Sequence, residues 1–235
     1  MTAKRKRRIV VLAVVVAACI FHAPLLRGLA GFLIVDQPIG DYDCVCVCAW
    51  GDNPNGDRCY DVAADLVRRK PSCRVLLVAP SPNRLEEIGA ISSLASKTRR
   101  ALFARGVPQD AVSVLPGERW NDWATARALA GWLHDHPGNS AVLLCDQFHS
   151  AQLRRVLDAV LDSANAASVR VRALASREYD NTNWWTRRCG YRAFGGSWLL
   201  RFQSWFDSGD AAQTPERNAD DYERDFLGAL PENTP

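Results

Sequence analysis

The sequence has no phosphate-loop glycine spacing, no zinc-protease motif and no nucleophile elbow. Each of these works through a fixed spacing on a strand, turn or helix, so their absence removes the corresponding phosphoryl-transfer, metalloprotease and elbow-serine chemistries from the candidates. Charge of one sign is also scarce: 29 basic residues against 26 acidic ones leave a net +3. Five positive charges sit in residues 1–8 (Lys4, Arg5, Lys6, Arg7, Arg8), and the segment from Asp207 onward has eight acids against Arg217 and Arg224. About +4 remains on the middle of the chain, spread along helices as on an ordinary solvated surface. Nucleic acid is therefore not an expected partner.

What is present first is an apolar run. Ile9 to Leu26 holds eighteen residues interrupted only by His22 and Pro24. At about 1.5 Å per residue it reaches roughly 27 Å, enough to cross a hydrocarbon core. The basic cluster before it favours a cytoplasmic amino end, which places the rest of the chain on the far side of the plasma membrane. A cleaved secretory signal has the same layout, and Val16-Ala17-Ala18-Cys19 resembles a loose lipoprotein box with a lipid on Cys19. The expected organisation is a basic cytoplasmic terminus over 1–8, a transmembrane anchor over 9–26, a connector over 27–41, an α/β domain over 42–206 and an acidic, mobile tail over 207–235.

Eight cysteines in an exported chain invite a disulfide count, but their spacing resists it. Cys44, Cys46 and Cys48 alternate in a strand-like run and face one side of a sheet, with neighbours about 6.5–7 Å apart. Thiolates sharing one zinc at about 2.3 Å each must come closer, so no metal site is expected there. The three read as small buried apolar residues.

From residue 43 the pattern alternates between strand and helix. Asp43 to Ala49, Arg74 to Ala79, Ala111 to Leu115, Ala141 to Cys145 and Ser168 to Leu174 read as strands. Asp57 to Arg69, a long helix over Arg84 to Arg105, Asn121 to His134 and Ser150 to Ala164 read as the helices between them. Near-continuous apolar strands in βα repeats predict a Rossmann-like, doubly wound parallel sheet of about five strands. Asn183 to Phe206 is dense in aromatic and basic residues. It is expected to close one edge of the sheet, or else to settle at a lipid headgroup layer.

Ligands of such sheets gather outside the carboxyl ends of the strands, where the chain order reverses. The polar groups there are Asp52 and Arg58 after the first strand, Ser81 after the second, and Glu118, Asn121 and Asp122 after the third. Asp146, Gln147 and His149 follow the fourth. His149 and Glu118 are the candidates for acid–base work, with Asp52, Arg58, Ser81, Asn121, Asp146 and Gln147 as ligand-binding groups. An arginine beside a histidine and carboxylates suits an anionic ligand. The residues identify no cofactor.

Several segments together resemble the YdcF/SanA/ElyC family of bacterial envelope proteins. They are Leu33-Ile34-Val35-Asp36-Gln37-Pro38 before an aspartate-led strand, Arg58 opening the first helix, and Arg105-Gly106-Val107-Pro108 ending the second. Glu118 follows the third strand, Val142-Leu143-Leu144-Cys145-Asp146-Gln147-Phe148-His149 carries the fourth, and Trp184-Trp185 precedes an amphipathic close. The similarity covers roughly Leu33 to Phe206. The chain departs from it at Ala49-Trp50-Gly51-Asp52, where relatives carry a glycine run, at Pro80-Ser81-Pro82, and at Gln152, where they carry an arginine that Arg154 or Arg155 would have to replace. The resemblance implies a membrane-anchored protein of cell-wall and envelope biogenesis or barrier maintenance; with Arg58 and His149 at the edge, the leading expectation is that it binds, or binds and processes, an anionic small molecule or lipid-linked precursor. Two other readings stand beside it: a non-catalytic membrane-associated module using the aromatic carboxyl segment, and a nucleotide or S-adenosylmethionine binder.

Overall fold

The computed structural model describes residues 21–48, 56–80, 82, 84–117 and 121–206. The chain divides into two compact units, Met1–Arg201 and Phe202–Pro235. Of the second, only 202–206, the end of a helix, are described. The basic cluster, most of the apolar run and the acidic tail lie outside the described residues. Residues 21–31, the end of the run and the start of the connector, form helix α1, and among the described residues no helix is long and apolar enough to cross a membrane.

Five strands form one all-parallel sheet: β1 (Cys44–Cys48), β2 (Arg74–Pro80), β3 (Val112–Gly117), β4 (Ala141–Asp146) and β5 (Val169–Leu174), in spatial order β3-β2-β1-β4-β5. The order reverses between β1 and β4, as expected of a doubly wound sheet. Both faces are covered, which is why β1 and β4 read as continuous apolar runs. Val45, Val47 and Val75 pack on one face against Ala63, Val67 and Leu102 of helices α2 (Gly56–Arg69) and α4 (Leu94–Phe103). Cys44, Cys46, Leu143 and Val171 pack on the other against Leu129, Leu133, Leu153 and Leu157 of helices α5 (Asp122–Asp135) and α6 (Ser150–Val160). The alternating cysteines do share one face, and Cys44 and Cys46 are fully buried in it.

Three expectations need correction. The helix over Arg84 to Arg105 is broken: α3 (Arg84–Glu87) stops before Gly89, whose φ of 74° lies in the left-handed region, and α4 restarts where the Ser93 side chain accepts from the Ser96 amide. The helix after β4 is likewise shorter than expected, ending at Val160 before the short α7 (Ser163–Ser168). The aromatic segment, in turn, does not line the sheet edge. The connector does so: the Gln37 amide donates to the Val171 carbonyl at 2.9 Å, the Gln37 side chain accepts from the Val171 amide at 2.9 Å, and Asp36 accepts from the Ala173 amide at 3.1 Å. An extended strap thus satisfies the outer edge of β5 without being a full strand.

The aromatic segment instead makes a separate core. Phe148, Tyr179 and Trp184 are buried with Ala30 and Leu33 of the connector, and Phe194 and Trp198 of helix α8 (Arg188–Phe206) pack against them. Gly190 lets the start of α8 lie on the Trp184 backbone: a Cβ added there would overlap the Trp184 carbonyl oxygen and come within 2.8 Å of its Cα. Backbone cannot yield as a side chain can, so Gly190→Ala is expected to destabilise the fold by about 1–3 kcal/mol. A lowered denaturant midpoint would register it, and an unchanged midpoint would contradict this packing.

Candidate functional site

The site forms where α5 and α6 begin. Both helices cover the same face of the sheet, so their amino ends come together at the carboxyl edge of β1 and β4. Asn121 caps α5, its side-chain oxygen accepting from the Ala124 amide at 2.6 Å, and Asp122 is the first helical residue. At the other helix, Asp146 ends β4 and caps a 3-10 turn over Gln147–His149 by accepting from the Phe148 amide at 2.9 Å. His149 is then delivered to the start of α6. Its Nε2 lies 2.7 Å from Asp122 Oδ1, with the two side chains 19% and 11% exposed.

The pair is electrostatically poised. Burial by itself would lower the imidazole pKa, but the hydrogen bond and negative charge of Asp122, together with the charge of Asp146, outweigh it and hold His149 above 6.5. The Asp146 carboxyl is also raised, by burial first. The Phe148 amide, the His149 charge and the Tyr179 hydroxyl, 3.5 Å away, oppose that rise only in part. Asp122 accepting at Nε2 makes Nδ1 the basic nitrogen of a neutral His149. An orienting carboxylate, an imidazole and a neighbouring raised carboxyl together can take, hold and return a proton near neutral pH.

The remaining candidates divide. Arg58, at the start of α2, spends Nη1 on the Ala175 carbonyl at 2.6 Å and the Ser176 carbonyl at 3.3 Å, so it fastens the loop after β5. Asn121 spends its oxygen on the helix cap. Gln147 is buried, and its Nε2 has no hydrogen-bond partner, as is true of Gln152 Oε1. Arg154 is tied to Asp158 and to the carbonyls of Ala166 and Val169, which occupies it with the start of β5. Asp52, Ser81 and Glu118 lie outside the described residues. Asp43, which leads β1, works at the opposite edge of the sheet, where it accepts from the Ser140 amide and hydroxyl.

Two members of the site, Asp122 and Tyr179, had no role assigned from sequence. Asp122 was visible as a loop polar group, but its pairing with His149 follows from α5 and α6 being neighbours on one face. Tyr179 comes from the loop after β5, which has no motif; an isolated tyrosine among charged residues was its only signal.

Both raised groups have the same linkage sign. The share of stability from a protonated Asp146 is present below the ordinary 3.8 and is lost as pH climbs through its raised value; that of a charged His149 is present below 6.5 and is lost as pH climbs through its own. Asp146→Asn is therefore expected to gain stability on the wild type as pH rises through the first window, and Asp122→Asn to remove the fall across the second. Thermal midpoints measured from pH 4 to 9 would check this, and parallel curves for wild type and both variants would refute it.

Compared with protein-family models, with curated proteins and with solved structures, the chain matches none.

Proposed function

We propose that this is a membrane-anchored envelope protein whose α/β domain binds an anionic small molecule or a lipid-linked precursor at the carboxyl edge of β1 and β4, with His149 as its acid and base. The observation that carries the reading is the His149–Asp122 pair, 2.7 Å apart across the amino ends of α5 and α6. A protonated imidazole and two aligned helix amino ends all favour negative charge. The buried Gln147 Nε2 supplies a further donor in the same turn. The envelope role and the outward topology rest on the resemblance to YdcF/SanA/ElyC proteins and on the basic and apolar amino-terminal segment.

A second reading, a non-catalytic module held at a membrane surface, has one observation in its favour. Phe21, Leu25 and Phe32 follow one stripe along and just past α1 at 65%, 64% and 65% exposure. That stripe continues the apolar run of the sequence. The tryptophans of the carboxyl segment favour it less, because Trp184 is buried and Trp185 and Trp198 pack onto its core.

The test uses the full-length chain in detergent micelles with inorganic pyrophosphate as the anionic probe. Binding is expected to strengthen as pH falls through the raised pKa of His149. His149→Gln is expected to weaken it about tenfold at neutral pH, the loss of one charged hydrogen bond, and to flatten the pH dependence. Calorimetric titration reads both. Binding unaltered in His149→Gln would remove the His149–Asp122 site from the account and leave the surface reading. A reporter fused at residue 150 is expected to be active only outside the cytoplasm.

A further inference from the structure

Cys48 is the last residue of β1, the central strand. β1 and β4 run in register up to Val47 opposite Leu144, so the next step along the edge sets Cys48 beside Cys145. Cys48 belongs to the face covered by α5 and α6, in one cluster with Cys145 and with Trp123, the residue after Asp122. It therefore shares both the face and the edge on which His149 and Asp122 meet. Cys44 and Cys46, on the same face, are fully buried, and Cys145 is 7% exposed; Cys48 is more accessible than any of them.

Hydrogen bonding to Cys48, then burial, raises the Cys46 thiol well above its ordinary value. Burial pushes Cys59 up to about 12 and raises Cys145 well above the ordinary thiol value, so neither competes with Cys48 for the negative charge. Asp122 and Asp146 work against a thiolate here, whereas His149 in its charged form and the amino ends of α5 and α6 work for it.

We propose that Cys48 is a nucleophilic thiol, activated by His149 and positioned through Asp122, that attacks the acyl carbon of an activated ester or thioester. This rests on the reading of His149 as acid and base. The thiol proton passes to His149 Nδ1 as the sulfur lone pair forms a bond to the acyl carbon. The bond from that carbon to the leaving oxygen or sulfur breaks, its electron pair goes with the leaving group, and His149 returns the proton to it. Water, deprotonated by His149, then cleaves the acyl-thioester, and Cys48 takes back a proton.

The test again uses the reduced full-length chain in detergent micelles. Alkylation by iodoacetamide, followed at each cysteine by peptide mass spectrometry, is expected to give Cys48 a reaction midpoint below the roughly 8.5 of an ordinary thiol. At pH 7, His149→Asn and Asp122→Asn should slow it at least about tenfold while Cys189, on α8, is unaffected. With p-nitrophenyl acetate, the wild type should release a burst of about one nitrophenolate per chain and carry the acetyl group on Cys48; Cys48→Ser should show no burst. A Cys48 midpoint at or above the ordinary value, or an acetyl group found only elsewhere, would overturn the proposal. The wild-type midpoint decides even where a variant fails to fold. Pyrophosphate titration separates the two readings. Binding that depends on His149 with an unreactive Cys48 sinks this proposal alone, and a Cys48 acylated in a His149-dependent way without pyrophosphate binding sinks the anionic-ligand reading alone.

Discussion

Burial of the Phe148 side chain holds the site together. Its ring is fully enclosed, with Tyr179, Trp184 and Phe194 ring centroids at 5.8, 6.3 and 5.9 Å. Removing such a ring from a packed interior costs about 3–5 kcal/mol, so the turn that carries it has little freedom. Because Phe148 points into that core, its neighbour His149 must turn toward α5. Ser150 completes the constraint: its hydroxyl donates to the Gln147 carbonyl at 2.6 Å and accepts from the Val35 amide at 2.9 Å. One buried ring and one buried hydroxyl thus join the connector, β4, α6 and the aromatic segment.

This arrangement explains why the aromatic segment packs inward. A segment with four tryptophans and four arginines is expected to close a sheet edge or to settle at lipid, yet Trp184 and Phe194 have a closer apolar partner in Phe148 and the connector. Burial against protein removes the same area from water as burial in a headgroup layer, and it needs no second body. What faces outward on α8 is Tyr191, Leu199 and Leu200, with Arg188 and Arg192. The segment is therefore structural on one side and available on the other.

The loop after β5 deserves the same functional weight as the site residues. Arg58 holds two of its carbonyls, Arg177 pairs with Asp61 of α2 at 2.7 Å, and Tyr179 reaches Asp146. The loop thus lies against α2 through Arg58 and Asp61 and beside Asp146 through Tyr179. Burial, against the opposing effect of the Phe148 amide, His149 and Tyr179, keeps the Asp146 carboxyl raised.

The strands, the parallel sheet and the placement of His149 at its carboxyl edge were legible in the sequence, because apolar runs of five to seven residues between helical periods have one stable arrangement. Gly106 and Asn121 also marked helix ends by local chemistry alone, the first through its backbone and the second through its side chain. Which polar groups meet was not legible. Asp122 and His149 lie 27 positions apart, and only the packing of α5 beside α6 brings them to hydrogen-bonding distance. Tertiary structure also turned Arg58 and Asn121 toward backbone groups, since buried carbonyls and helix-end amides require partners wherever they fall. The amino-acid order determined the layers and the edge; the contacts across that edge were decided in three dimensions, where pairing depends on distance and not on spacing along the chain.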